Sequence, residues 1–282
     1  MYELKRLFSV NNAKVFLFTA TDGSTRGVKD YTVRTVLDSA EQLGILTSKT
    51  KIVEQANGIG GIALASEAVR RGYSLTIVAP EDLDSQIQDQ LKRLGTTVIL
   101  TPSRFGIAGA LDTVQKISQQ DVNVWTPNLF ESTANPAAHE TITGPKLWSQ
   151  TAPQIDAFVC AVGSGGTFTG ISRYLKRQKP EIRLIAVEPT ESPVLSGGKA
   201  GRHGITGIGV GFVPPIFDLS LPSEIETVTT EEAVSFTTLL AKTEGILAGV
   251  STGANLAVCA RLVSLPEYQG KSIATIAFNL NM

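Results

Sequence analysis

A glycine-rich loop stands between an apolar run and a helix-like run in this 282-residue chain. The apolar run is Ala157–Val162, the loop is Gly163-Ser164-Gly165-Gly166-Thr167, and helical periodicity follows from Thr169 to Lys176. Glycines let backbone N–H groups converge on an anion, Ser164 and Thr167 add hydroxyl donors, and the helix directs the positive end of its dipole to the same place. The pattern favours an α/β fold in which this glycine loop, Gly163–Thr167, binds a phosphate.

The glycine spacing restricts the kind of phosphate that the loop can bind. No Lys-Ser or Lys-Thr pair closes the run, as it does in a Walker loop, and the run lacks the G-x-G-x-x-G spacing of a dinucleotide site. Both ATP and NAD are therefore disfavoured. A tight strand-to-helix turn without any ligand remains the alternative at this stage.

Strand-like and helix-like runs alternate along the chain, which is the pattern of parallel α/β construction. The predicted strands are Lys14–Phe18, Lys51–Glu54, Ser74–Val78, Thr97–Leu100, Ala157–Val162, Arg183–Val187 and Ser272–Phe278. The predicted helices are Thr32–Leu43, Gly61–Arg71, Leu83–Leu94, Ile107–Gln119, Thr169–Gln178 and Thr230–Glu244. Gly72, Gly95 and Gly245 stand where helices are expected to end.

The composition disfavours several classes of protein. A formal net charge of −1 and 42% hydrophobic residues predict a sizeable core in one or two domains. There is no apolar run of membrane-spanning length, no signal-peptide pattern at the amino terminus and no basic cluster suited to nucleic acid. Cys160 and Cys259 lie in apolar contexts and are predicted to be buried, reduced thiols. With two histidines the chain has little for a metal site, so we expect a cytoplasmic protein without metal, membrane or nucleic-acid partners.

Lys29 lies in Gly27-Val28-Lys29-Asp30, directly before the helix-like segment Thr32–Leu43. Such a lysine is either a solvated charge or a candidate nucleophile. The tetrapeptide resembles the Ser-Val-Lys-Asp of the fold type II pyridoxal-phosphate enzymes, specifically the family of cysteine synthase (O-acetylserine sulfhydrylase) and cystathionine β-synthase. Further blocks resemble this family in the same order along the chain, namely Ile52–Ala65, Asn135–Trp148, Ala186–Pro193, Gly207–Phe212 and Glu244–Ala254.

The resemblance implies an α/β architecture of two domains with the cofactor in the cleft between them. The smaller domain would comprise residues 23–143, and the larger one residues 1–22 and 144–282. A homodimer is also implied. Relative to the family pattern, the chain begins close to the first core strand and ends at Asn279–Met282, before a tail that relatives use in dimer contacts.

The resemblance also assigns roles to residues. Lys29 would bind the aldehyde of pyridoxal 5′-phosphate and then act as the catalytic acid and base. The glycine loop, with Gly163, Ser164, Gly165, Gly166 and Thr167, would hold the 5′-phosphate, and Ser251 would face the pyridine nitrogen. The implied reaction is β-elimination or β-replacement on a serine- or cysteine-derived amino acid through an aminoacrylate, with a small nucleophile such as sulfide, a thiol or an amine.

The substrate side departs from the family pattern. Relatives have Thr-Ser-Gly-Asn-Thr-Gly where this chain has the substrate loop Ala56-Asn57-Gly58-Ile59-Gly60-Gly61, so several groups that receive the substrate carboxylate are absent. Leu129 stands at the position of an active-site glutamine, and Tyr31 at that of an arginine. The predicted substrate-binding residues are Ala56, Asn57, Gly58, Ile59, Gly60, Leu129 and Gly207. We interpret these departures as altered substrate recognition; the alternative is a non-catalytic or regulatory relative that keeps the fold, with or without the cofactor.

Overall fold

The structure is a computed structural model that describes residues 1–8, 11–20, 27–151 and 155–278. The chain forms two compact units, a large one of residues 1–28 and 136–282 and a small one of residues 29–135. The strands are β1 (Tyr2–Glu3), β2 (Lys14–Phe18), β3 (Lys51–Gln55), β4 (Ser74–Pro80), β5 (Thr97–Thr101), β6 (Val124–Trp125), β7 (Ala157–Ala161), β8 (Arg183–Pro189), β9 (Glu224–Val228) and β10 (Ser272–Ile276).

Helices alternate with these strands. The α-helices are α1 (Val28–Gln42), α2 (Ile59–Arg71), α3 (Ser85–Arg93), α4 (Gly106–Gln120), α5 (Ala134–Ala138), α6 (Gly144–Thr151), α7 (Gly166–Gln178), α8 (Thr230–Glu244) and α9 (Val250–Val263). A π-helical segment, His139–Thr143, joins α5 to α6. Among the described residues, no helix combines the length and apolar character needed to cross a membrane.

The small unit is built on a parallel sheet with the strand order β5-β4-β3-β6. Successive side chains of a strand point to opposite faces, so β3 supplies both faces of the core. Ile52 packs in one cluster with Leu37 of α1 and Leu64 of α2. Val53 packs in another with Val114 of α4. Burying each such side chain contributes about 1.5–3 kcal/mol, which explains why helices cover both faces.

The large unit is built on a six-stranded sheet with the order β1-β2-β10-β7-β8-β9. Only β1 pairs antiparallel within this described sheet. The central strands β7 and β10 are buried along their whole length, as parallel strands covered on both faces are. Asn255 of α9 joins them, because its Oδ1 accepts from Ala161 N at 2.7 Å and its Nδ2 donates to Ile276 O at 3.0 Å.

Each predicted strand and helix is present, and the strand ends lie within two residues of the predicted ends. Gly72, Gly95 and Gly245 all have positive φ at helix ends, which confirms their predicted role. Cys160 and Cys259 are buried free thiols, as predicted, and burial raises the pKa of both. The predicted domain limit at residues 22–23 lies outside the described residues, and the domain limits stay a prediction.

Some elements were not predicted from the sequence. They are β1, β6, β9, α9 and the helical stretch from α5 through α6. In addition, α1 begins at Val28 and α7 at Gly166, several residues before their predicted starts. Lys29 and Thr167 therefore belong to the first turns of helices and not to the preceding loops.

Candidate active site

The glycine loop follows the buried strand β7 and leads into α7. Gly165 is the N-cap of α7 with φ of +88°, a conformation that side chains rarely adopt. A Cβ built at Gly165 would lie 2.6 Å from the Cβ of Phe217, and one at Gly163 would clash with the carbonyl oxygen of Gly207. The backbone of the loop is therefore free of Cβ atoms at the two positions where a neighbouring segment comes closest.

The start of α7 has the properties of an anion site. The N-cap residue Gly165 has no side chain to accept from the first-turn N–H groups, and no side-chain cap bond is present there. These N–H groups and the helix dipole suit an anion such as a phosphate. Thr167 adds a hydroxyl in the same turn. This backbone cradle fits the 5′-phosphate of pyridoxal phosphate.

Two segments of the large unit hold the loop in place. The Thr169 hydroxyl donates to Ile216 O at 3.0 Å and accepts from Asp218 N at 3.1 Å, which keeps Phe217 against Gly165. On the other side, Gly209 N donates to Val162 O at 3.2 Å. Gly207, predicted to bind substrate, has φ of +91°. Its carbonyl oxygen would clash with a Cβ built at Gly163, so its segment lies directly beside the glycine loop.

Ser251 lies in the first turn of α9 and is only 2% exposed. None of the described residues forms a side-chain hydrogen bond with its hydroxyl. The neighbouring Thr252 hydroxyl, by contrast, accepts from Phe278 N at 2.8 Å and donates to Phe278 O at 3.0 Å. The hydroxyl of this largely buried residue suits a heteroatom of a bound ligand, and the predicted pyridine nitrogen is one.

Lys29 lies in the first turn of α1 and is half-buried. A Cβ built at Gly60 would lie 3.7 Å from Cδ of Lys29 and 4.0 Å from its Nζ, so the lysine side chain passes beside the substrate loop. Burial lowers the pKa of the Lys29 ammonium, because desolvation disfavours its charged form. A neutral amine is the form that can attack a carbonyl carbon.

The substrate loop overlaps the beginning of α2. Gly58 is the N-cap and has no side-chain cap bond, so Ile59, Gly60 and Gly61 form the first turn. Their N–H groups therefore offer a possible carboxylate site made of backbone alone. A Cβ at Gly61 would lie 2.9 Å from the Cβ of Ala56, so the two ends of the loop pack tightly together. Asn57 is exposed at the loop surface.

Leu129 lies in a segment whose backbone forms hydrogen bonds with the side chains of Glu54 and Asn135. Glu54, 1% exposed on β3, accepts from Asn128 N at 2.6 Å. Asn135 Nδ2 donates to Leu129 O at 2.7 Å. Burial is the largest effect on the pKa of Glu54 and raises it to about 8. Hydrogen bonds from the backbone N–H groups of Asn128, Leu129 and Gln55 act in the opposite direction and lower this pKa. The sequence gives no indication of these two supports beyond an acidic residue at the end of an apolar strand.

The structure thus groups the predicted site residues within each unit. The glycine loop and Gly207 are neighbours in the large unit, which also holds Ser251. Lys29 and Gly60 are neighbours in the small unit, which also contains the rest of the substrate loop and Leu129. The individual roles predicted for these residues stay predictions.

Comparisons with known proteins identify the class to which the chain belongs. A model of the family described as "Pyridoxal-phosphate dependent enzyme" matches residues 1–279. Cysteine synthase A of Escherichia coli is 37% identical over 282 residues, which cover 97% of this chain and 87% of the relative. The chain therefore belongs to the family of pyridoxal-phosphate-dependent enzymes, and its cofactor is pyridoxal 5′-phosphate.

Solved structures place it more narrowly within that family. A cysteine synthase from Entamoeba histolytica has a TM-score of 0.93 and 31% identity, covering 99% of this chain and 84% of that one. An O-acetylserine-dependent cystathionine β-synthase from Helicobacter pylori has a TM-score of 0.93 and 34% identity, covering 99% and 91%. The chain has the fold type II architecture and is an enzyme of the cysteine synthase type, which performs β-replacement or β-elimination. The alternative of a non-catalytic relative gains no support from these comparisons.

Proposed function

We propose that this enzyme removes the β-substituent of a serine- or cysteine-derived amino acid, with O-acetylserine as the reference substrate class, and adds a small nucleophile in its place. The observation that carries the proposal is the Lys29 amine, whose pKa is lowered by burial and whose side chain lies beside the substrate loop at Gly60. Lowering this pKa increases the fraction of neutral amine, which is the form that can attack a carbonyl group and accept a proton from a bound amino acid.

The proposal assigns one part of the chemistry to each group of predicted site residues. When bound, pyridoxal 5′-phosphate supplies the electron sink that makes the substrate Cα–H acidic and lets the β-substituent leave. Lys29 would hold the cofactor covalently through Nζ and would move the proton at the substrate Cα. The glycine loop binds the phosphate with backbone N–H groups and the Thr167 hydroxyl. Ser251 would offer the pyridine nitrogen a neutral hydroxyl, which does not enforce protonation there as a carboxylate would.

Substrate recognition in this proposal depends on backbone groups more than in the relatives. The first-turn N–H groups of α2 at Ile59, Gly60 and Gly61 receive the substrate carboxylate. Ile59 and Leu129 present apolar side chains where the family pattern has amide groups. The binding site therefore favours a different β-substituent or nucleophile from those of ordinary cysteine synthesis.

Reductive trapping tests the proposal. Borohydride treatment of the purified protein, followed by peptide mass spectrometry, should place the cofactor on Lys29. Lys29→Ala should lose the adduct and keep the fold, whereas Lys116→Ala, at an exposed lysine of the same unit, should keep the adduct. If no cofactor is found on Lys29 of the unmodified protein, the catalytic proposal fails and the non-catalytic alternative returns.

A spectral screen then identifies the substrate. Serine- and cysteine-derived amino acids are added one at a time to the holoenzyme, and the absorbance of the cofactor is followed. A substrate changes the spectrum, and a suitable nucleophile, such as sulfide, a thiol or an amine, restores it. An enzyme that shows neither change with any activated serine would contradict the proposal.

We further propose that the enzyme is a cytoplasmic homodimer. The two buried free thiols suit a reducing compartment. Val234 and Leu239 of α8 are 45% and 40% exposed, which favours their burial against a second copy. Sedimentation of the purified protein tests the dimer, and fractionation of the source cells tests the compartment.

A further inference from the structure

A buried histidine joins the glycine loop to the π-helical segment in the large unit. His139 begins that segment and is 1% exposed. Its Nε2 lies 3.1 Å from the hydroxyl oxygen of Thr167, and its Nδ1 lies 2.9 Å from the hydroxyl oxygen of the fully buried Thr143. Both ring nitrogens therefore meet threonine hydroxyls, one of which belongs to the glycine loop.

The backbone around His139 holds the ring at a fixed position. A Cβ built at Gly170 of α7 would lie 2.7 Å from the Cβ of His139 and 2.8 Å from the backbone nitrogen of Glu140. Helix α7 thus packs against the π-helical segment with no space for a side chain at Gly170. π-helical turns inside α-helices occur frequently at functional sites, which favours a functional role for this segment.

The hydrogen-bond chemistry of the three side chains allows two arrangements of protons. A neutral imidazole has one donor and one acceptor nitrogen, and each threonine hydroxyl has one proton. In one arrangement Thr143 donates to Nδ1 and Nε2–H donates to Thr167, which leaves the Thr167 proton for another acceptor. In the other arrangement Thr167 donates to Nε2 and presents only lone pairs to its surroundings.

We propose that His139 is a positioning residue of the phosphate site, which donates from Nε2–H to Thr167 and so directs the Thr167 proton to the bound phosphate. An anion at the start of α7 selects this arrangement, because it accepts hydrogen bonds and repels lone pairs. In this arrangement the Thr143 hydroxyl, 2.9 Å from Nδ1, is the donor to that nitrogen and so fixes the imidazole tautomer. The inference rests on the proposed function, since it takes the ligand of the glycine loop to be the cofactor phosphate.

A double-mutant cycle tests this dependence. Dissociation constants of pyridoxal 5′-phosphate and of inorganic phosphate are measured by equilibrium dialysis for the full chain, Thr167→Val, His139→Leu and the double variant. Thr167→Val should weaken cofactor binding about tenfold, which is about 1.4 kcal/mol. His139→Leu should also weaken it, but should have no further effect once Thr167→Val is present, because His139 acts through that hydroxyl.

Two conservative variants separate positioning from packing. The amide nitrogen of His139→Gln can reach the place of Nε2 and donate to Thr167, whereas that of His139→Asn reaches only the place of Nδ1. His139→Gln should therefore retain cofactor affinity within a fewfold, and His139→Asn should lose about as much as His139→Leu. Thermal unfolding of both variants shows whether the fold is kept.

Results that contradict the role of His139 can be told apart from a failure of the proposed function. Additive losses in the cycle, or equal affinity in His139→Gln and His139→Asn, would overturn the role of His139 even if borohydride still traps the cofactor on Lys29. Unchanged affinity in Thr167→Val would overturn it as well. Absence of a Lys29 adduct in the unmodified protein, by contrast, bears on the catalytic proposal itself.

Discussion

At the scale of single residues, Glu54 is a carboxyl group that the fold removes from water. Its carboxyl is 1% exposed and holds the backbone of Asn128, next to Leu129. Burial raises its pKa from 4.5 to about 8 in the folded protein. Between these two values the folded state binds a proton that the unfolded state has released, so the free energy of unfolding falls as the pH rises.

This linkage predicts the behaviour of Glu54→Gln. Between about pH 6 and pH 8 the unmodified protein should lose stability relative to the variant by about 1.4 kcal/mol per pH unit. Urea unfolding of both proteins at several pH values measures the difference. Glu67→Gln is the control, because a hydrogen bond from the Arg70 guanidinium lowers the pKa of Glu67 to about 2. The difference in stability between this variant and the unmodified protein should therefore not change between about pH 6 and pH 8. A Glu54→Gln difference without pH dependence would contradict the raised pKa.

At the scale of elements, the glycine loop and the first turn of α7 form the part of the site that backbone geometry defines. Gly165 and Gly197 both have left-handed φ, of +88° and +84°. Nothing lies within 4 Å of a Cβ at Gly197, whereas Phe217 lies against one at Gly165. The pair thus separates the cost of a strained backbone from the cost of crowding the loop.

Gly165→Ala should weaken cofactor binding at least tenfold, because the added Cβ displaces either Phe217 or the loop that presents the N–H groups. Gly197→Ala should leave the affinity for pyridoxal 5′-phosphate nearly unchanged at a similar cost in backbone strain. Equilibrium dialysis measures both affinities, and circular dichroism checks the fold. Equal affinities in the two variants would mean that the loop is only a structural turn.

Elements with a clear period or a glycine terminator could be predicted from the sequence, and the missed ones have physical reasons. Helix α9 is buried on nearly all sides, so it has no amphipathic pattern to detect. Strand β9, Glu-Ile-Glu-Thr-Val, is mostly half-buried at the sheet edge and does not stand out from a polar loop. The stretch from α5 through α6 contains Pro136 and Thr141, which disfavour helix, and is stabilised by packing against α7 at Gly170.

The same distinction applies to the site, where residues with a sequence pattern could be predicted and residues defined by distant contacts could not. The glycine loop could be predicted as a candidate anion site from its position between a strand and a helix, because backbone approach to an anion requires glycine at particular positions. The importance of Lys29 came from a resemblance, since a single lysine has no pattern of its own. Glu54 and His139 could not be singled out, because their roles arise from partners distant in sequence, at Asn128 and Thr167.

At the scale of the whole molecule, the two units differ in how far they follow the family. The large unit keeps the residues predicted to bind the cofactor, namely the glycine loop and Ser251. The small unit keeps Lys29 but carries Ala56, Ile59, Gly60 and Leu129 where relatives have polar groups. These departures fall on residues predicted to bind substrate and spare the glycine loop and Ser251, which is the pattern expected of changed specificity, because loss of function would leave the predicted cofactor residues equally free to change.

The enzyme should therefore be a poor O-acetylserine sulfhydrylase. Each lost hydrogen bond to a charged group costs on the order of 1.5–3 kcal/mol, so two of them should lower kcat/KM at least about a hundredfold relative to Escherichia coli cysteine synthase A assayed alongside. The double variant Ile59→Asn, Gly60→Thr should recover part of this activity. Its new Cβ at position 60 would lie 3.7 Å from Lys29 Cδ, an ordinary contact, so the first turn of α2 can keep its backbone path.

A control of equal bulk isolates the polar groups. Ile59→Leu with Gly60→Val adds no donor or acceptor and should recover nothing, whereas the Asn and Thr pair should raise kcat/KM for O-acetylserine with sulfide. Recovery in both double variants would point to packing around Lys29 and not to lost hydrogen bonds. If the unmodified enzyme already matches the Escherichia coli enzyme, the prediction is wrong. In that case the backbone N–H groups at the start of α2 suffice to bind the substrate carboxylate, and the changed side chains at Ile59, Gly60 and Leu129 do not alter specificity.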